Sequence, residues 1–96
     1  MKGLGEYEAG LLDRLSDPAY AVGYLNAVLE SGDPGDFLAA VGDVARAHGG
    51  LGALARRVGL DRVHLFRMLA KGGNPELRSL SRVVGALGFT LRVAPR

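Results

Sequence analysis

Apolar residues recur at helical spacing along most of this chain, and residues that start or stop helices separate the recurrences. Leu51, Leu54, Ala55 and Val58 fall at i, i+3, i+4 and i+7, one face of a helix. Gly59 follows and ends it, as a residue that takes positive φ without a side-chain clash. Leu60 fills the corner. Asp61 is placed to cap a second helix whose inner face is Leu65, Met68 and Leu69. Ala55 is small where the second helix must cross the first. Two short helices joined by a tight turn within 51–70 make a helix-turn-helix pattern, in which the second helix enters the DNA major groove.

The same grammar repeats on both sides. Asp17-Pro18 opens a helix with Ala21, Tyr24, Leu25, Val28 and Leu29 on its apolar face, and Gly32 ends it. Asp33-Pro34 opens the next, with Phe37, Leu38, Val41, Val44 and Ala45 inward, Arg46 and His48 in the last turn, and Gly49-Gly50 after it. Asn74-Pro75 is the expected start of a later helix with Leu77, Leu80, Val84 and Leu87 inside and Gly88 at its end. Before Asp17, Leu4, Leu11, Leu12 and Leu15 are spaced for a helix that Gly3, Gly5 and Gly10 weaken. Residues 1–16 are therefore expected as a flexible arm or a short helix, and 17–96 as a single helical domain. Phe89-Thr90-Leu91-Arg92-Val93 alternates apolar and polar, the pattern of a strand. No other segment offers it a partner, so Phe89, Leu91 and Val93 are expected to pair with the same strand of a second copy. Pairing with a partner protein, or packing of Phe89 and Leu91 onto the core, are the alternatives. The expected fold is mainly α, with about five helices and a short C-terminal strand.

Charge divides the chain where composition as a whole does not. Residues 1–43 hold eight acids against Lys2 and Arg14, a net −6, whereas residues 44–96 hold ten bases against Asp61 and Glu76, a net +8. A basic half beside an acidic one points to nucleic acid on the first and to a basic partner on the second. With no cysteine there is neither a disulfide nor a thiolate zinc site. No apolar run approaches a membrane span and the first residues lack a signal-peptide pattern, so a cytoplasmic protein is expected.

The residues near the start of the second motif helix carry the candidate chemistry. Arg62 and Arg67 suit base reading, since a guanidinium can bond guanine O6 and N7 together, and Val63 and Phe66 can meet a thymine methyl or a sugar. Arg56, Arg57, His64, Lys71 and Arg78 are candidate phosphate contacts, which set register. Arg92 is placed at the strand interface. Catalysis is disfavoured: His48 and His64 are the only histidines, the acids at helix starts are explained by capping, and Lys71-Gly72-Gly73-Asn74-Pro75 lacks the features of a phosphate loop. No cofactor or metal is expected.

The motif at Leu51–Ala70, with Leu54, Ala55, Val58, Gly59, Leu60, Leu65 and Met68 at its fixed points, resembles the helix-turn-helix of the Xre/Cro-like, lambda-repressor-like family. Tyr24-Leu25-Asn26, Gly42-Asp43, Gly73-Asn74-Pro75 and the stretch from Val83 to Val93 extend a resemblance to the addiction-module antidote proteins, antitoxins paired with RelE/HigB-type ribonuclease toxins. It covers roughly Asp17 to Val93. The resemblance implies base contacts at Arg62, Val63 and Arg67, a homodimer on double-stranded operator DNA, autorepression, and a small basic toxin as partner. The toxin-binding face is expected in the acidic half, at Tyr7, Leu11, Tyr20 and Tyr24. Asp61 departs from the family's usual Ser or Thr, which caps the helix and bonds a phosphate; a carboxylate caps but repels phosphate. A stand-alone regulator without a toxin, and an interaction module that no longer binds DNA, are the rival readings.

Overall fold

Two Asp-Pro pairs organise the first half of the molecule. The computed structural model describes residues 2–96, with side chains from Tyr7 onward. Helix α1 spans Lys2–Leu15, α2 Pro18–Ser31, α3 Pro34–Ala47, α4 Gly50–Val58, α5 Arg62–Met68 and α6 Leu77–Ala86. Asp17 and Asp33 are the N-caps of α2 and α3, their carboxylates accepting from the Ala19 and Gly35 N–H groups at 3.2 and 2.9 Å. Pro18 and Pro34 take the opening position, where the N–H that proline lacks would have had no partner.

Helix α3 runs through the middle. Phe37, Leu38, Ala40, Val41, Val44 and Ala45 are all buried, and α3 packs on α1, α2 and α4. Val41 and Val44 are completely sealed, and each such burial contributes roughly 1.5–3 kcal/mol. Helix α4 carries this core onward, packing on α3, α5 and α6 through Leu51, Leu54, Ala55 and Val58. Leu15, Leu65 and Val83 complete the set of fully buried large side chains. Among the described residues no polar or charged side chain is buried.

The helical class holds, with six helices among the described residues and several local differences. The first segment is α1, a helix of 14 residues. Its glycines each cost about 1 kcal/mol relative to alanine, against which act the complete burial of Leu15 and the packing of Leu11 on the core. Leu4 lies outside the described side chains. Leu29 is half-exposed rather than inward. Gly50 opens α4 instead of following α3, which closes at His48. The His48 ring donates from Nε2 to the Leu15 carbonyl at 2.9 Å, tying the end of α3 to the end of α1.

Two expectations near the C-terminus are corrected. Helix α6 begins at Leu77, not at Asn74-Pro75; Glu76 is its N-cap and makes no side-chain cap bond. The later start leaves Leu77 71% exposed and turns Val83, Val84 and Leu87 inward, with Leu80 half-buried. The expected strand at Phe89–Val93 is absent among the described residues. The Phe89 N–H is spent on the Val84 carbonyl at 3.0 Å, closing α6, and no neighbouring segment supplies a ladder. The alternation is realised as one-sided packing: Phe89 and Leu91 lie on the core, Phe89 edge-on to His48 at 6.4 Å between ring centres, while Val93 is fully exposed. Phe89–Val93 is thus an extended tail that packs on the core through Phe89 and Leu91, with Thr90, Arg92 and Val93 exposed.

Candidate nucleic-acid interface

The turn between α4 and α5 is made by backbone first. Gly59 sits at φ 71°, and both its N–H and that of Leu60 reach back to the Ala55 carbonyl, so the carbonyl left over at the end of α4 is satisfied twice. Leu60 is half-buried against the core. Asp61 then stands in extended backbone, and its Oδ2 accepts from the His64 N–H at 3.2 Å. With the carboxylate spent on the cap and Leu65 and Met68 buried, the outer face of α5 follows from the helix period.

That face is Arg62, Val63, Phe66 and Arg67. All four are exposed, Val63 by 54% and Phe66 by 57%, a large apolar exposure for so short a helix. Arg62 extends beside Gly52 of α4, close to where a Cβ would stand, and Arg56 approaches the same spot, so these two guanidinium groups flank one glycine. Arg67 lines a groove of about 510 Å³ with His64, Gly73, Asn74, Glu76 and Ser79. Gly73 makes that groove possible: a Cβ there would collide with the Met68 and Arg67 carbonyls, so the loop can fold against the end of α5 only without a side chain.

The remaining cations separate into two groups. Arg56, Arg62, Arg67 and Arg78 have no hydrogen-bond or ion-pair partner among the described residues. Arg57 instead donates from Nη1 to the Ala86 carbonyl at 3.1 Å, and Arg82 from Nη2 to the Val58 carbonyl at 2.7 Å. Each of α4 and α6 therefore supplies the arginine that closes the other's C-terminal end. Lys71 pairs with Asp36 at 3.3 Å and Asp33 at 3.9 Å. Of the expected phosphate contacts, Arg57 and Lys71 thus have internal partners while Arg56, His64 and Arg78 stay exposed. The arginine caps join residues 29 and 24 positions apart, beyond what sequence spacing reports. Asn74 and Ser79 beside Arg67 have no such signal of their own, although the glycine pair at 72–73 signals a close backbone approach.

The expected toxin-binding residues lie on α1 and α2, which pack on the core helix α3. Tyr7 is 66% exposed on α1 and Tyr20 is exposed on α2, while Leu11 and Tyr24 are half-buried. Arg14 Nε donates to the Tyr20 hydroxyl at 3.2 Å, with its guanidinium 5.7 Å from the ring centre. The Tyr24 hydroxyl donates to Asp43 Oδ2 at 3.0 Å, and Arg46 binds Asp43 Oδ1 at 2.9 Å. Partial burial, then the hydrogen bond to the Asp43 carboxylate, push the Tyr24 phenol up to about 12, so it remains a donor. Among the described residues no three His, Asp or Glu side chains gather to hold a metal ion, and no helix is long and apolar enough to cross a membrane.

Comparison with known proteins places this arrangement. Residues 7–95 match the family model described as probable addiction module antidote protein. A protein of Haemophilus influenzae whose printed description is uncharacterized protein is 34% identical over 70 residues, covering 73% of this chain and 71% of the relative. No solved structure matches. With residues 7–95 matched, nearly the whole length, the chain belongs to the family of probable addiction module antidote proteins.

Proposed function

We propose that this chain is the DNA-binding antitoxin of a type II toxin–antitoxin module, which represses its own operon and neutralises a small basic RelE-like ribonuclease. The observation that carries the DNA half is the outer face of α5. Four exposed side chains stand together there, two of them guanidinium groups without a partner among the described residues, on a helix whose start is set by Gly59 and the Asp61 cap. In this reading α4, the Gly59 turn and α5 are a lambda-repressor-like helix-turn-helix. Arg62 and Arg67 read base edges, Val63 and Phe66 touch thymine methyls, and Arg56, His64 and Arg78 meet phosphates. Arg57 and Lys71 reach phosphate only by giving up an Ala86 carbonyl or an acidic pair. Asp61 makes no phosphate contact, because it repels one. Two copies place two α5 helices in successive major grooves, about 34 Å apart. The antidote half is supported by the family and by the acidic charge of residues 1–43.

The test is titration of the purified chain against a duplex from its own upstream region and against a scrambled duplex, at rising salt. Expected is a clear preference for the upstream duplex and a log–log salt slope of several units, about 0.9 for each phosphate neutralised. A shallow slope with no preference overturns the DNA half. Copurification with the small basic protein encoded beside it, and loss of that protein's RNA cleavage in the complex, tests the antidote half.

A further inference from the structure

All three tyrosines of this chain stand on the α1–α2 side, Tyr7 and Tyr20 both within electrostatic reach of Tyr24. Beside Tyr24 runs an open groove of about 510 Å³ between α2 and α3. Ala27, Val28, Ala39 and Ala40 form its floor, and Asp36 and Asp43 its rim. One wall is prepositioned, because Asp43 holds the Tyr24 hydroxyl at 3.0 Å and is itself held by Arg46. A tyrosine fixed before contact offers a large amphipathic surface with little rotamer freedom left to lose. The other acid is engaged by Lys71 at 3.3 Å, with side chains 69% and 47% exposed. A pair so open to solvent is worth little and yields readily to an incoming cation.

We propose that this groove is the docking site for a basic partner protein, which sets an arginine or lysine at the acidic rim and an apolar side chain on the alanine and valine floor. The inference rests on the antidote reading above and adds to it the surface and its chemistry. Charge selects this occupant. A second copy docking through the same face would set Asp33, Asp36 and Asp43, which Lys71 and Arg46 neutralise in part, against themselves, whereas a basic protein meets complementary potential.

The probe is the small basic protein encoded beside this chain, titrated against the wild type, Ala27→Trp and Asp36→Lys. Melting and upstream-duplex binding are measured on the same samples. Ala27 is exposed and lies on the floor, so tryptophan there fills the groove without entering the core. Expected is a dissociation constant raised about tenfold or more by each change, with melting and DNA binding in Ala27→Trp as in the wild type. An unchanged constant in Ala27→Trp overturns the groove while leaving the antidote reading standing. A wild type that does not bind the probe overturns both. Loss of self-association in Ala27→Trp, with probe binding intact, assigns the groove to a second copy and also overturns the proposal. Should Asp36→Lys melt early, Ala27→Trp alone decides.

Discussion

At the seam between α4 and α6, Arg57 and Arg82 give their guanidinium donors to the Ala86 and Val58 carbonyls; on the outer face of α5, Arg62 and Arg67 have no such partner among the described residues. Both regions add positive charge to the same half of the chain, so charge counts cannot separate them. What separates them is the state of the backbone nearby. A helix end leaves carbonyls without intrahelical partners, and an arginine within reach is drawn to them. Helix α5 lies where nearby carbonyls are met by the backbone itself, that of Ala55 by the Gly59 and Leu60 N–H groups and that of Arg67 by the Leu69 and Ala70 N–H groups, and its arginines stay exposed.

The sharpest break in this comparison comes within α5 itself. Leu65 is completely buried and its neighbour Phe66 is 57% exposed. Leu65→Ala should cost about 2–5 kcal/mol of stability in denaturant unfolding. Phe66→Ala should stay within about 0.5 kcal/mol in the same assay while weakening binding to the upstream duplex. Equal losses from the two would mean that α5 has no separate outer face.

Next in size is the seam. Arg82→Ala leaves the Val58 carbonyl without its donor and should cost about 1–2 kcal/mol. In a domain of this size each kcal/mol lowers the melting temperature by about 4–8 °C. Arg67→Ala should do the reverse: unchanged melting, and about 1–3 kcal/mol lost in binding the upstream duplex if the contact is bidentate. If Arg82→Ala weakens DNA binding without lowering melting, the division between the two sets of arginines fails.

The smallest effect lies outside both regions, at Tyr24. Its phenol is pushed up to about 12, above the value of about 10 expected in the unfolded chain. The stabilisation is therefore complete below pH about 10 and is lost as pH rises towards 12. Tyr24→Phe should remove this alkaline step from a plot of stability against pH. A step that persists in Tyr24→Phe belongs to another group.

Much of this architecture is legible because its signals are local. Asp17-Pro18, Asp33-Pro34 and the Gly59–Asp61 turn each act within four residues, and each is found where the sequence places it. Asn74-Pro75 carries the same local signal and misleads. Gly73 is pressed against the end of α5, and the chain reaches α6 only after running extended to Glu76. The alternation at Phe89–Val93 is read correctly as two-sided, but sheet formation needs a second strand and the chain provides a core instead. The arginine caps and the Tyr24–Asp43 bond join distant positions, and no spacing rule reports them.

Helix α5 has only seven residues, too few to persist by itself in water, where roughly 12–15 are needed even for favourable sequences. Its outer face therefore has no existence apart from the buried Leu65 and Met68 beneath it. If that face reads DNA, the fraction of molecules able to repress equals the fraction folded, with no partly active state between. Degradation or melting would release the promoter as a single cooperative event, and operator occupancy would report the folding equilibrium directly.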